Sequence, residues 1–127
     1  MRIGVSLTTA YSLKREPKGL GRELVERARA IRAAGLDSVF VGDHHATPGH
    51  YFQNVPTIAR LMAEVGDMTV GALFLMPLHH PVLMAEQVGT LWALAQGPFV
   101  LISAAGDGEE QFAPFGVPLR QRPSRME

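Results

Sequence analysis

Four short apolar runs rich in β-branched residues alternate with longer segments of helical period, and this alternation constrains the chain more than any other feature. The runs are Arg2–Leu7, Ser38–Val41, Met68–Met76 and Phe99–Ala104. Strands that alternate with amphipathic helices read as βαβ units. The runs start 36, 30 and 31 residues apart, a spacing that suits successive right-handed crossovers in a parallel sheet. The expected fold class is therefore α/β, built from parallel βαβ units.

The helical segments carry their own punctuation. From about Gly19 to Ala34, one face collects Leu20, Leu24, Ala28 and Ile31, charged residues lie elsewhere, and Gly35 stands where a C-cap glycine belongs. A second helix is expected to open with Asn54 as N-cap and Pro56 in its first turn. It carries Ile58, Leu61, Met62 and Val65 at i, i+3, i+4 and i+7, and ends at Gly66. A third has Pro81 near its start, Leu83, Val88, Leu91, Trp92 and Leu94 along it, and Gly97 at its end. Pro123 is placed like the first turn of a further helix.

A closed (β/α)8 barrel normally takes ~250 residues, so these 127 residues supply about the first half of a TIM-type barrel. Residues 1–127 read as one N-terminal half-barrel, four strands with their connecting helices, with no second domain. A complete, small four-stranded open sheet is the plainer alternative. For a half-barrel the open sheet edge is expected to promote association with another copy or chain, whereas a stable monomer would favour the small sheet.

Composition narrows the chemistry. Twelve Lys+Arg balance twelve Asp+Glu, which leaves no broad positive field for a nucleic-acid backbone; the nearest basic cluster is Arg120, Arg122 and Arg125. The absence of cysteine excludes disulfides, Cys-based metal sites and thiol nucleophiles. The longest apolar stretch, Val70–Leu78, falls far short of the ~20 residues of a membrane helix. No secretory h-region follows Met1. A cytoplasmic protein without membrane or nucleic-acid partners is the expectation.

In parallel α/β folds, functional groups gather at the C-terminal ends of the strands. The second run ends in Gly42-Asp43-His44-His45. A carboxylate followed by two imidazoles can orient a histidine for proton transfer or supply metal ligands. It can equally be a capping Asp with two loop histidines. The other runs end in Leu7-Thr8-Thr9, in Leu73-Phe74-Leu75-Met76-Pro77 and in Ser103-Ala104-Ala105-Gly106, the last small enough for a planar ligand to approach the backbone. His79-His80-Pro81 is a second histidine pair, more often a helix cap than a metal ligand set. His50, Tyr51 and Phe52 lie where a barrel places a wall of its pocket. Asp107, Glu109 and Glu110 suit a ligand hydroxyl or simply the start of a helix.

Taken in order, Ser38–His45, Asn54-Val55-Pro56, Val70-Gly71, Pro77–Val88, Gly106–Phe112 and Phe115-Gly116-Val117 resemble the bacterial luciferase-like, flavin-dependent oxidoreductases and monooxygenases. The resemblance covers this whole chain and the N-terminal half of the family's fold. It implies a (β/α)8 barrel that binds reduced FMN, or alternatively F420, across the C-terminal ends of its strands. Such a protein inserts oxygen into, or transfers a hydride with, a small organic substrate. By this resemblance His44 is the catalytic acid/base with Asp43 orienting it, and Leu7, Thr8, Leu73, Phe74, Ala104 and Gly106 surround the cofactor. Dimerisation through barrel helices is also implied, and no metal is.

Three departures from the family pattern stand out: a shorter Gly71–Pro77 segment, Ala105 where luciferases carry a phosphate-holding arginine, and later strands that are not in this sequence. Half of the enclosure that preorganises an active site is thus not encoded here, so the 127-residue chain alone is expected to be inactive. The rival readings are a metal-dependent hydrolase using Asp43, His44 and His45 with His80, and a non-catalytic half-barrel that self-associates.

Overall fold

A computed structural model describes residues 1–127. In chain order the elements are β1 (Gly4–Leu7), β2 (Ala10–Tyr11), α1 (Pro17–Ala33), β3 (Ser38–Val41), β4 (His50–Tyr51), α2 (Asn54–Val65), β5 (Thr69–Leu75), α3 (Pro81–Leu94), β6 (Phe99–Ala104) and α4 (Glu109–Phe112). Single 3-10 turns occupy Met76–Leu78, Ala113–Phe115 and Leu119–Gln121. The four expected strands form one parallel sheet in the order β1-β3-β5-β6, so β1 and β6 are its edges.

Register divides the strand residues between two faces. Val39, Val41, Val70, Ala72 and Phe74 turn towards the helices and share a core with Ala28 and Ile31 of α1 and Ile58, Leu61, Met62 and Val65 of α2. Because side chains alternate along a strand, Ser6, Phe40, Gly71, Leu73, Val100 and Ile102 fall on the opposite, uncovered face. Phe40, Gly71 and Val100 lie in one row across it. A Cβ on Gly71 would sit 2.5 Å from the Phe40 ring and 2.8 Å from the Val100 carbonyl oxygen, so the ring occupies the place of the missing side chain. β6 has no neighbour on its outer side, and Val100, Leu101 and Ile102 are exposed there.

Helix ends depart from the sequence expectation where side chains found better partners. α1 begins at Pro17 because the Glu16 carboxylate caps it, accepting from the amides of Lys18 and Gly19. Gln53, not Asn54, is the N-cap of α2. Asn54 is instead buried in the first turn, where its Nδ2 donates to the Leu73 carbonyl at 2.7 Å and ties α2 to β5. α3 stops at Leu94, short of Gly97. Only Met84 and Leu91 of α3 are buried, so Leu83, Trp92 and Leu94 face outward rather than into the core.

The chain after α4 does not form the helix expected at Pro123. It makes 3-10 and turn structure that folds back over the strand ends, with Arg125 Nε donating to the Pro77 carbonyl at 2.8 Å. β1 starts at Gly4 rather than Arg2, since the backbone of Ile3 is engaged by both the side chain and the backbone of Asp37. Met76 leaves β5 for the 3-10 turn that contains Pro77.

Candidate active site

The period-two alternation of β3 continues past its end and separates three adjacent residues. Asp43 turns to the helix side and is buried, 2% exposed. Its Oδ2 accepts from the Leu75 amide at 2.9 Å and lies 2.9 Å from His79 Nε2. An ionised carboxylate can only accept, so His79 Nε2 is the donor of that bond. His45 Nε2 stands 2.9 Å from Asp43 Oδ1, but off the angle of a hydrogen bond, and both atoms are buried without another partner. Burial alone would raise the Asp43 carboxyl. The nearby imidazoles of His45 and His79 and the Leu75 amide outweigh that and hold it well below the usual carboxylate range.

His44 takes the other direction. Its Nε2 lies where a Cβ on Gly42 would point, 3.3 Å away, and its ring tilts against Tyr51 with centroids 4.1 Å apart. No hydrogen bond joins His44 to Asp43; the orientation of His44 by Asp43 expected from sequence gives way to packing by Gly42 and Tyr51. His80 caps α3, accepting from the Val82 amide through Nδ1 at 3.3 Å. The histidine that meets Asp43 from this second pair is therefore His79, not the His80 that the metal-hydrolase reading enlisted from the sequence.

Two short strands unseen in the sequence build the rim. β2 pairs antiparallel with β4, Ala10 opposite Tyr51 and Tyr11 opposite His50. Tyr11 stacks on Phe52 at 4.6 Å and tilts against His50 at 5.6 Å. The His50–Phe52 segment divides: the Tyr51 ring lies against His44, while His50 and Phe52 pack with Tyr11.

The remaining candidate residues fall in different places. Leu73 and Ala104 belong to the uncovered face and Thr8 is exposed beyond β1, its Oγ1 accepting from the Ala10 amide. Leu7 and Phe74 send their side chains into the helix-facing core, 7% and 0% exposed, so only their backbones border the strand ends. Gly106 adopts φ +73° and packs against Phe112 and Leu75. Ala105 brings no guanidinium, but Arg122 reaches the same spot, donating to the Gly106 carbonyl at 3.0 Å and to Asp107 at 3.1 Å. On the helix side, a cavity of about 740 Å³ opens between α3, β6 and the C-terminal segment, with His79, Met84, Val88, Ser103 and Arg125 among its walls.

The sequence model of luciferase-like monooxygenases matches residues 1–127. The chain therefore belongs to the luciferase-like monooxygenase family. It is 32% identical over 103 residues to an F420-dependent glucose-6-phosphate dehydrogenase of Beutenbergia cavernae, covering 76% of this chain and 30% of the relative. It is 26% identical over 121 residues to the alkanal monooxygenase alpha chain of the Kryptophanaron alfredi symbiont, covering 94% and 34%. Among solved structures, it superposes on the oxygenating constituent of 3,6-diketocamphane monooxygenase from Pseudomonas putida, in complex with FMN, with a TM-score of 0.77 at 18% identity over 99% of this chain and 37% of that one. The Streptomyces bottropensis monooxygenase RslO1 gives 0.81 at 17% identity, covering 98% and 39%. These two structures share the fold, and the chain spans about a third of the length of the curated relatives it matches. No helix is long and apolar enough to cross a membrane.

Proposed function

We propose that this chain contributes the first four strands of a flavin- or F420-dependent oxidoreductase of the luciferase-like class, acting on a small organic substrate. The observation that carries this reading is the placement of His44. It faces the uncovered side of the sheet at the strand ends, and its ring makes no hydrogen bond to the protein.

The surroundings fit a planar redox cofactor. Leu73, Ile102 and Ala104 give a shallow apolar floor without a charged side chain, suited to the face of a ring system. FMN, or alternatively F420, would supply the hydride or the centre that activates oxygen. This chain's residues supply the rest: Leu73 and Ile102 bear the ring, Tyr51 fixes the imidazole plane, and His44 holds or moves a proton beside it. Thr8 and Gly106 border the ring site, with the backbones of Leu7 and Phe74. Asp43 acts on the site at one remove, by fixing the turn that follows β5.

Turnover requires donors fixed on all sides of the reacting ring, so the activity belongs to an assembly in which the other half of a barrel is also present. The exposed β6 edge suits association with such a partner. The reading sets the protein in the cytoplasm, with no nucleic acid or membrane as partner.

The test is titration of purified protein with reduced and oxidised FMN and with F420, followed by absorbance and fluorescence, with mass in solution recorded on the same sample. Saturable binding of one of them that is weakened by Leu73→Glu is the expected result. A folded protein that binds neither, alone or with the partner half of a barrel, overturns the reading.

A further inference from the structure

We propose that Asp43, His45 and His79 form a binding site for one divalent transition-metal ion, on the helix side of the sheet and separate from the face that presents His44. One carboxylate oxygen and two imidazole nitrogens lie within 4.8 Å of one another. Ligand atoms around a tetrahedral ion with bonds of ~2.0–2.1 Å sit ~3.3 Å apart, a spacing reached here by side-chain adjustments of a few tenths of an ångström to about an ångström.

Two of the three groups are left wanting by the protein itself. Asp43 Oδ1 and His45 Nε2 are buried with no hydrogen-bond partner, although they are only 2.9 Å apart. A buried acceptor and a buried ring nitrogen without partners each carry a desolvation cost. A cation between them removes both at once, and its charge balances the buried carboxylate. The third ligand, His79 Nε2, lies 2.9 Å from the same carboxylate in the turn after β5; binding an ion there moves its ring proton to Nδ1 and exchanges its hydrogen bond to Oδ2 for the metal bond.

The surroundings have the features of a built metal site. The Leu75 amide holds Asp43 Oδ2, which leaves Oδ1 for the ion and fixes the carboxylate as an outer-shell partner does. The rings of Phe115 and Phe74 stand edge-on to His45 and His79, at 5.1 Å and 5.6 Å, as an apolar shell. His79 also lines the helix-side cavity, which gives an ion a way in and leaves room for a water ligand. Two imidazoles with one carboxylate select Zn²⁺, Co²⁺, Ni²⁺ or Fe²⁺ over Mg²⁺ and Ca²⁺, which take oxygen ligands. The ion would pin the β3–β4 loop to the β5–α3 turn.

The experiment uses the tag-free full chain, stripped with EDTA and dialysed, then titrated with Zn²⁺ by calorimetry and with Co²⁺ by visible absorption at neutral pH. One saturable equivalent is expected, with Co²⁺ bands of nitrogen and oxygen ligation and a rise in the thermal midpoint on Zn²⁺ addition. His45→Ala should weaken binding by more than the ~100-fold that loss of an outer-shell partner can cost. His45 makes no side-chain hydrogen bond, so this variant keeps the hydrogen bonds of the fold and carries the test even if His79→Ala does not fold. His50→Ala, remote from the cluster, should bind as the wild type does. The proposal is overturned by a folded wild type that takes up neither ion saturably, or by His45→Ala binding as tightly as wild type.

Discussion

Asp43 Oδ2 and His79 Nε2 lie 2.9 Å apart although 36 residues separate them in sequence. One buried carboxylate thereby joins the end of β3 to the turn after β5, and the same oxygen holds the Leu75 amide. Asp43→Asn keeps the shape but removes the charge and puts an amide among groups arranged around a carboxylate. It should cost about 1–3 kcal/mol, the range for leaving a buried hydrogen-bonding group poorly matched. Urea unfolding in the presence of EDTA measures this, and an unchanged midpoint would mean that the carboxylate is not what holds the two strand ends.

His44→Ala should lower turnover of the assembled enzyme by about 100-fold or more, the scale of a lost general acid or base, while affinity for the cofactor changes little. Steady-state rates alongside a fluorescence binding curve separate the two effects. Turnover that survives the substitution would remove His44 from the mechanism.

Glu64 links the first two helices, accepting from Arg29 Nε at 2.7 Å and from Arg60 Nη1 at 2.6 Å. The hydrogen bond from Arg29, with that from Arg60, holds its carboxyl below the ordinary value. A carboxyl depressed in the folded state adds stability above its unfolded pKa of about 4.3, and that stability is lost as pH falls through the lower folded value. Glu64→Gln should therefore unfold at a lower temperature than wild type at pH 7, with the gap closing under acid conditions. A gap of equal size at pH 7 and at pH 3 would show that charge is not the cause.

Ile102→Glu places a charge on the exposed edge strand β6, the usual way in which natural sheets block edge pairing. Wild-type protein should sediment as an associated species, and the variant should shift towards the monomer. A monomeric wild type at every concentration tested would contradict association through this edge.

The parallel sheet was legible because each of its strands lies in a short apolar run that holds β-branched residues and is bounded by turn residues, and two of the three main helices show a clear apolar face. α3 was less so: it is apolar almost all round, so periodicity could not tell that Leu91 is buried and Trp92 exposed. β2 and β4 are two residues each and pair Ala10 with Tyr51; no period can be read from two residues. Within the candidate site, the Asp43-His44-His45 run was visible, whereas its division between the two sides of the sheet depends on alternation continuing beyond β3. His79 was present as a motif, but only the β3–β5 register brings it to Asp43. Asn54 shows the limit of local rules: its Oδ1 accepts from the Val55 amide in the first turn of its own helix, while its Nδ2 reaches a carbonyl of β5 that only the fold brings near.

The Phe40 ring lying in the space above Gly71 gives this sheet a mutational direction. Phe40 can be exchanged for a smaller apolar residue while Gly71 stands, leaving a hollow. A side chain cannot enter position 71 first, because it would meet both the ring and the Val100 carbonyl. Shrinking Phe40 removes only one of those obstacles, so β6 must also shift before position 71 is free to vary. Among descendants of this chain, substitutions at 40 should thus be found without change at 71, and changes at 71 only in company.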